Sequence, residues 1–200
     1  MAMKIKQLII LFGWMCTTPL LAQHEELEQN LAAFKEFVTD SFEVKSLNVT
    51  EPDWGALNDV EKDYHTYFEL KAKEKREDNL GRRSYKRLDF ALYAWEYEDD
   101  ATWAIKSWLD EFMEGKKVRP GRVVRQYEYA RPTIVVMDTG FIAILRMDCS
   151  DFFDDEYEGW VKTMEKFFNT DESMTLELYC DGPLEWTRNA PDPKRRRRRY

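Results

Sequence analysis

The side chains best suited to chemistry are few and scattered. Asp154, Glu156, Glu158, Gly159, Val161 and Glu165 match positions 1, 3, 5, 6, 8 and 12 of a calcium loop. Two features oppose that reading. Glu at positions 3 and 5 is one methylene longer than the Asp or Asn that fits there, and Tyr157, Trp160, Val161 and Met164 form a helical stripe that a calcium loop would break. The spacing therefore reads as the acidic first turn of a helix, complementing its dipole. Asp148, Asp151, Asp154 and Asp155 read as a solvated acidic turn. Histidine occurs twice. His24 lies near the start of the chain, and His65, between Glu61 and Glu69, reads as a helix-surface residue with no Gly-x-Ser-x-Gly turn to serve. With 38 acidic residues, no carboxylate pair stands out for glycoside chemistry. Gly115 to Gly121 lacks the Gly-Lys-Ser/Thr ending of a phosphate loop. The sequence assigns no catalytic residue, no cofactor and no metal.

Rings and charges say more. Tyr93, Trp95, Tyr97, Tyr127, Tyr129 and Tyr179 fall opposite the helix-facing positions of the expected strands. Either the helices over 25–43 and 57–77 pack on this face and bury it, or it is a candidate interaction surface, because Tyr, Trp and Arg dominate binding hot spots and rings also stack on flat ligands. Two basic patches are present, Lys116, Lys117, Arg119, Arg122 and Arg125, and Arg82, Arg83, Lys86 and Arg87. Each is read as a solvated loop with anion binding as the alternative. Without Lys4, Lys6 and the run Lys194 to Arg199, the chain holds 22 basic groups against 38 acidic ones, a balance of −16. Such a body repels phosphate backbones and anionic bilayers, so specific nucleic-acid binding is not expected. Only the terminal run is suited to polyanions.

Residues 1–22 have the order of an export signal: Lys4 and Lys6, an apolar stretch from Leu8, and a small residue at Ala22. The stretch is too short and too interrupted (Gly13, Thr17, Thr18, Pro19) to span a bilayer. The bulky Trp14 and Met15 before Cys16 argue against a lipoprotein signal. Secretion or periplasmic export follows as the expectation, with no transmembrane segment after cleavage. Cys149 and Cys180 are then an even pair in an oxidising compartment, read as one disulfide. Asn48-Val49-Thr50 matches an N-glycosylation acceptor.

The elements that carry these residues come from periodicity. Residues 25–43 and 57–77 read as two amphipathic helices, joined by a connector at 44–52. From Tyr85 the period becomes two, with Leu88, Phe90, Leu92 and Ala94 alternating with Asp89, Ala91, Tyr93 and Trp95. A helix follows from Asp99 or Asp100, then an extended stretch to Asp138, a turn at Thr139-Gly140, a strand to Asp148, a helix from Asp154 or Asp155, and a strand at 175–180. Strand, helix, strand, strand, helix, strand predicts a ferredoxin-like βαββαβ domain over 84–182. The two-helix extension occupies 25–82, and a disordered basic tail 183–200. Pro132 places the second strand at the sheet's edge. The functional expectation is an exported binding or interaction module, with a protein partner or self-association through the ring-bearing sheet face. The alternative is a small hydrolase or ligand-binding enzyme that uses the same face.

Overall fold

The computed structural model describes residues 18–77, 81–112, 131–151 and 154–188. Helix α1 (Thr18–Thr39) leads into β1 (Phe42–Lys45), a single helical turn α2 (Ala56–Asp59), β2 (Tyr64–Glu77) and β3 (Arg83–Ala94). Helix α3 (Glu98–Phe112), β4 (Thr133–Met137), β5 (Phe141–Met147), a 3-10 turn at Cys149–Asp151, α4 (Asp154–Phe168), β6 (Met174–Leu178) and β7 (Leu184–Arg188) follow. The strands form one seven-stranded, fully antiparallel open sheet in the order β1-β2-β3-β5-β4-β6-β7. Among the described residues, no helix is long and apolar enough to cross a membrane. Residues 1–17 of the expected export signal, Tyr127, Tyr129, the 115–125 basic loop and the 194–199 run lie outside the described residues, and residues 18–22 of that signal are the start of α1.

The ferredoxin-like topology is corrected. In that fold β6 would flank β3, and both crossover helices would share one face. Here β6 pairs with β4 instead. The units β3-α3-β4 and β5-α4-β6 therefore both step in the same direction across the sheet, from oppositely directed strands. Right-handed crossovers then place α3 and α4 on opposite faces. The core divides accordingly. Leu27, Leu31, Phe34 and Val38 of α1 and Tyr157, Met164 and Phe168 of α4 cover Leu88, Phe90, Leu92, Ile134 and Leu145. On the other face, Leu57 of α2 and Ala104, Ile105 and Trp108 of α3 cover Ala91, Tyr93, Val135, Ile142 and Ile144. The alternation expected along β3 is present, and both of its faces are buried.

Three strands lie where the sequence was read otherwise. The stretch 57–77 is helical only over Ala56–Asp59, and from Tyr64 it is strand. Phe68, Leu70 and Ala72 alternate inward on the α1 side, and the β-branched and aromatic Tyr-His-Thr-Tyr-Phe run suits a pleated surface paired to β3. β1 occupies the last two residues of the expected helix 25–43, which ends at Thr39, and the first two of the expected connector. β7 occupies the beginning of the expected tail, because the Gly182-Pro183 turn is a hairpin and not a stop. Asp181 (φ 56°) and Gly182 (φ 88°) adopt positive φ in this loop, and the Gly182 amide donates to the Tyr179 carbonyl at 3.0 Å. The Tyr179 amide donates to the Pro183 carbonyl at 2.9 Å. Pro132 is not on an edge strand. It immediately precedes the interior β4, where its missing N–H is not needed and its carbonyl accepts from Met147 at 3.0 Å.

Cys149 and Cys180 stand at bonding distance, with S–S 2.07 Å and Cα–Cα 5.4 Å. β4 separates β5 from β6, so the bridge is possible only because both chains converge past their strand ends. The 3-10 turn at Cys149 and the β6–β7 turn meet over the start of β4, where Arg131 pairs with Asp148 at 3.3 Å.

Candidate binding groove

The ring-bearing residues do not share a surface. Tyr93 lies under the α2–α3 layer and is fully buried. Its hydroxyl donates to Glu51 Oε1 at 2.8 Å, and its ring stacks on His65 at 4.5 Å. Burial, then the hydrogen bond and charge of Glu51, push its phenol far above the usual tyrosine range. Trp95 is buried beside it and donates Nε1–H to the Glu61 carbonyl at 2.8 Å. Tyr97 is 61% exposed just beyond β3. Tyr179 is on the opposite face, against Tyr157 at 4.9 Å, with its hydroxyl donating to Glu177 at 3.0 Å. Helices on both sides of the sheet account for this division.

On the α3 face, a polar strip crosses β2, β3 and β5 in register. His65 lies opposite Tyr93 and shares Glu51 Oε1 with it, at 2.9 Å from Nε2. Tyr67 donates to Asp89 at 2.9 Å, and Arg146 reaches the other Asp89 oxygen at 3.5 Å while stacking over Trp54. Glu51 orients His65 as a triad acid would. Among the described residues, however, no hydroxyl or thiol is hydrogen-bonded to the second imidazole nitrogen. The strip holds sheet and loop together.

A groove opens on the other face, at the junction of α1, the β2–β3 hairpin and α4. Its volume is about 680 Å³, within the range of small-ligand sites. Phe37, at the end of α1, is 48% exposed at its rim. Phe42 of β1 and Trp160 of α4 form a ring wall, edge to face at 5.5 Å. At the base, Lys86 is only 5% exposed and donates to Glu156 Oε2 at 2.6 Å, while Arg76 donates to Oε1 at 2.7 Å. Burial opposes ionisation of Glu156, but Lys86 and then Arg76 hold its carboxyl below the ordinary range. Lys73 lines the groove and satisfies the last carbonyls of α1, reaching Thr39 O at 2.6 Å. Asp40 and Glu74 complete the charged lining, giving three cations against three carboxylates. Gly159 lines the groove on α4, and a Cβ there would meet nothing within 4 Å, so alanine fits at this position. In the sequence these residues appeared separately: Lys86 in a basic patch, Glu156 in an acidic turn, Trp160 on a helix stripe. The one local signal was a mid-helix glycine beside a tryptophan, a position where glycine costs about 1 kcal/mol relative to alanine.

Comparison with family models, curated proteins and solved structures finds no match to this chain.

A second carboxylate cluster sits under α4 at the β6–β7 edge. Glu177 is 6% exposed and pairs directly across the ladder with Glu185. Burial raises its pKa, Glu185 of β7 and Glu165 of α4 raise it further, and hydrogen bonds from Thr187 and Tyr179 oppose the rise. A carboxyl whose folded pKa is raised favours the native state fully below its unfolded pKa. That contribution is lost as pH climbs through the folded value. Glu177→Gln is therefore expected to be more stable than the parent at neutral pH, with the gap closing toward about pH 4, the unfolded glutamate range. Urea midpoints across that interval check it, and a pH-independent difference would refute the assignment.

Proposed function

We propose that this protein is an exported binding module without catalytic chemistry, and that the α1–α4 groove takes a neutral, ring-shaped, polyhydroxylated ligand: a saccharide. The reading is supported chiefly by the composition of the groove. An aromatic wall suits the apolar face of a sugar ring, and balanced, fixed carboxylate, ammonium and guanidinium groups suit hydroxyls, which both donate and accept. Three cations matched by three carboxylates offer no net attraction for an ion. Export is supported by the order of charge and hydrophobicity in residues 1–22 and by the Cys149–Cys180 pair.

The test is calorimetric titration of the full chain with neutral oligosaccharides of glucose, galactose and N-acetylglucosamine. Trp160→Ala is expected to weaken the bound sugar by about tenfold or more, the loss of one stacking ring. Gly159→Leu should block the groove, whereas Gly159→Ala should retain binding and add up to about 1 kcal/mol to stability. No saturable binding of any of these sugars, or binding indifferent to Trp160→Ala, would overturn the proposal.

A further inference from the structure

The β2–β3 hairpin carries a sign of charge opposite to the rest of the molecule. Residues 69–87 hold eight basic side chains against four acidic ones, which leaves 14 basic against 34 acidic in the remaining body. Lys75 pairs across the ladder with Tyr85, Glu77 with Arg83, and Lys71 with Arg87, so these side chains share one face of the ribbon. Lys75, Arg83, Tyr85 and Arg87 are exposed. The ammonium groups of Lys71 and Lys75 lie over the Tyr85 ring at 4.3 and 5.3 Å, which fixes two otherwise mobile charges side by side. Glu69, bonded to Arg87 at 2.9 Å, marks the root of this face, and Glu77 marks its outer end. Between them lie four cations around Tyr85: Arg83 and Arg87, about 13.6 Å apart along β3, and Lys71 and Lys75, which flank an irregularity in β2.

We propose that this hairpin face binds an acidic polysaccharide chain, one bearing uronate or sulfate groups. Three classes of polyanion fit the charge, and two fit the rest poorly. Single-stranded nucleic acid gains affinity by stacking bases on aromatic rings, but Tyr85 is occupied by the two lysines. An anionic bilayer is an extended plane that would bring the strongly acidic body against like charge. A thin polymer touches the hairpin alone. Chains of carboxylate or sulfate groups along the ribbon then release counterions as they meet successive cations. This surface is distinct from the groove, and the inference does not depend on what the groove holds.

The test measures binding of the full chain to polygalacturonate and to dextran sulfate at several salt concentrations, with uncharged dextran, oligothymidylate and phosphatidylglycerol vesicles alongside. Expected is binding to the two acidic polysaccharides whose log affinity falls linearly with log salt. Lys75→Glu with Arg83→Glu should weaken it by about tenfold or more and reduce the slope by about two. The charge-preserving Lys75→Arg with Arg83→Lys should keep it within about twofold of the parent, and both double variants should melt like the parent. A third variant, with Arg195 to Arg199 all changed to Gln, separates the terminal run from the hairpin. Retained binding in that variant supports the hairpin, and its complete loss overturns the proposal. So do absence of polysaccharide binding, indifference to charge reversal, or tighter binding of vesicles or oligothymidylate.

Discussion

Phe34→Ala is expected to destabilise the whole protein by about 3–5 kcal/mol, the usual cost of removing a fully buried phenylalanine. Phe34 is the hub through which α1 meets the sheet. Its ring lies 4.9 Å from Phe90 of β3, 5.4 Å from Phe168 of α4 and 6.4 Å from Phe68 of β2, centroid to centroid. No water-exposed surface is available to relax into the vacancy, because Phe68, Phe90 and Phe168 are themselves buried. Domains of this size carry about 5–15 kcal/mol in all, so the variant should lose a large share of its stability. At about 2–4 °C per kcal/mol, the melting temperature should drop by about 6 °C or more. Phe34→Leu, which keeps most of the volume, should recover much of it. The experiment also tests connectivity. If α1 folds as one unit with the seven strands, fluorescence and far-UV dichroism will lose signal at the same urea concentration in parent and variant. An early helical loss with an undisturbed sheet would show α1 to be an appendage, and the hub argument would fail.

That connectivity was the part of the fold hardest to read from the residues. Local alternation names the faces of a strand but not its neighbours. Leu88, Phe90 and Leu92 marked the inward face of β3, and the stripes of α1, α3 and α4 were equally plain. The order β3-β5-β4-β6 depends on which edge β6 joins, and nothing within residues 174–178 specifies it. β2 was obscured for another reason. Tyr64, Tyr67 and Phe68 satisfy a helical spacing as readily as Thr66, Phe68 and Leu70 satisfy a strand's, and long-range pairing to β3 decides between them. β7 was missed because Gly182-Pro183 reads as an ending until a following strand is allowed to turn back. The groove inherits these difficulties. Lys86 and Glu156 are 70 positions apart, and only the three-layer stacking brings a hairpin lysine under the first turn of α4. Misplacing β2 and β6 also misplaced the ring surface. Tyr93 and Trp95 lie on the reverse of the sheet from Leu88 and Phe90, and that reverse is covered by α2 and α3, whereas the helix over 25–43 packs on the other side.

Breaking the Cys149–Cys180 bridge is the second large effect. The cysteines are 31 positions apart, and closing a loop of that length removes enough unfolded-state entropy to stabilise the native chain by about 3–4 kcal/mol. The loop contains α4 and β6, and its closure joins the end of β5 to the end of β6 across β4. In the reduced chain, Tyr157 still ties the same region, its hydroxyl lying 3.1 Å from both the Thr133 and Leu178 carbonyls. The sheet order should therefore survive reduction while its stability falls. The double variant Cys149→Ser, Cys180→Ser should unfold at lower urea than the oxidised parent by that amount. Addition of dithiothreitol should bring the parent down to the variant and leave the variant unmoved. Either single variant should behave like the double, because one thiol closes no loop. A parent indifferent to dithiothreitol at a concentration that frees both thiols would mean that the unfolded ensemble is already compact between these positions. Loop entropy would then contribute little, and the β5–β6 clasp would rest on Tyr157 and the flanking strand pairs.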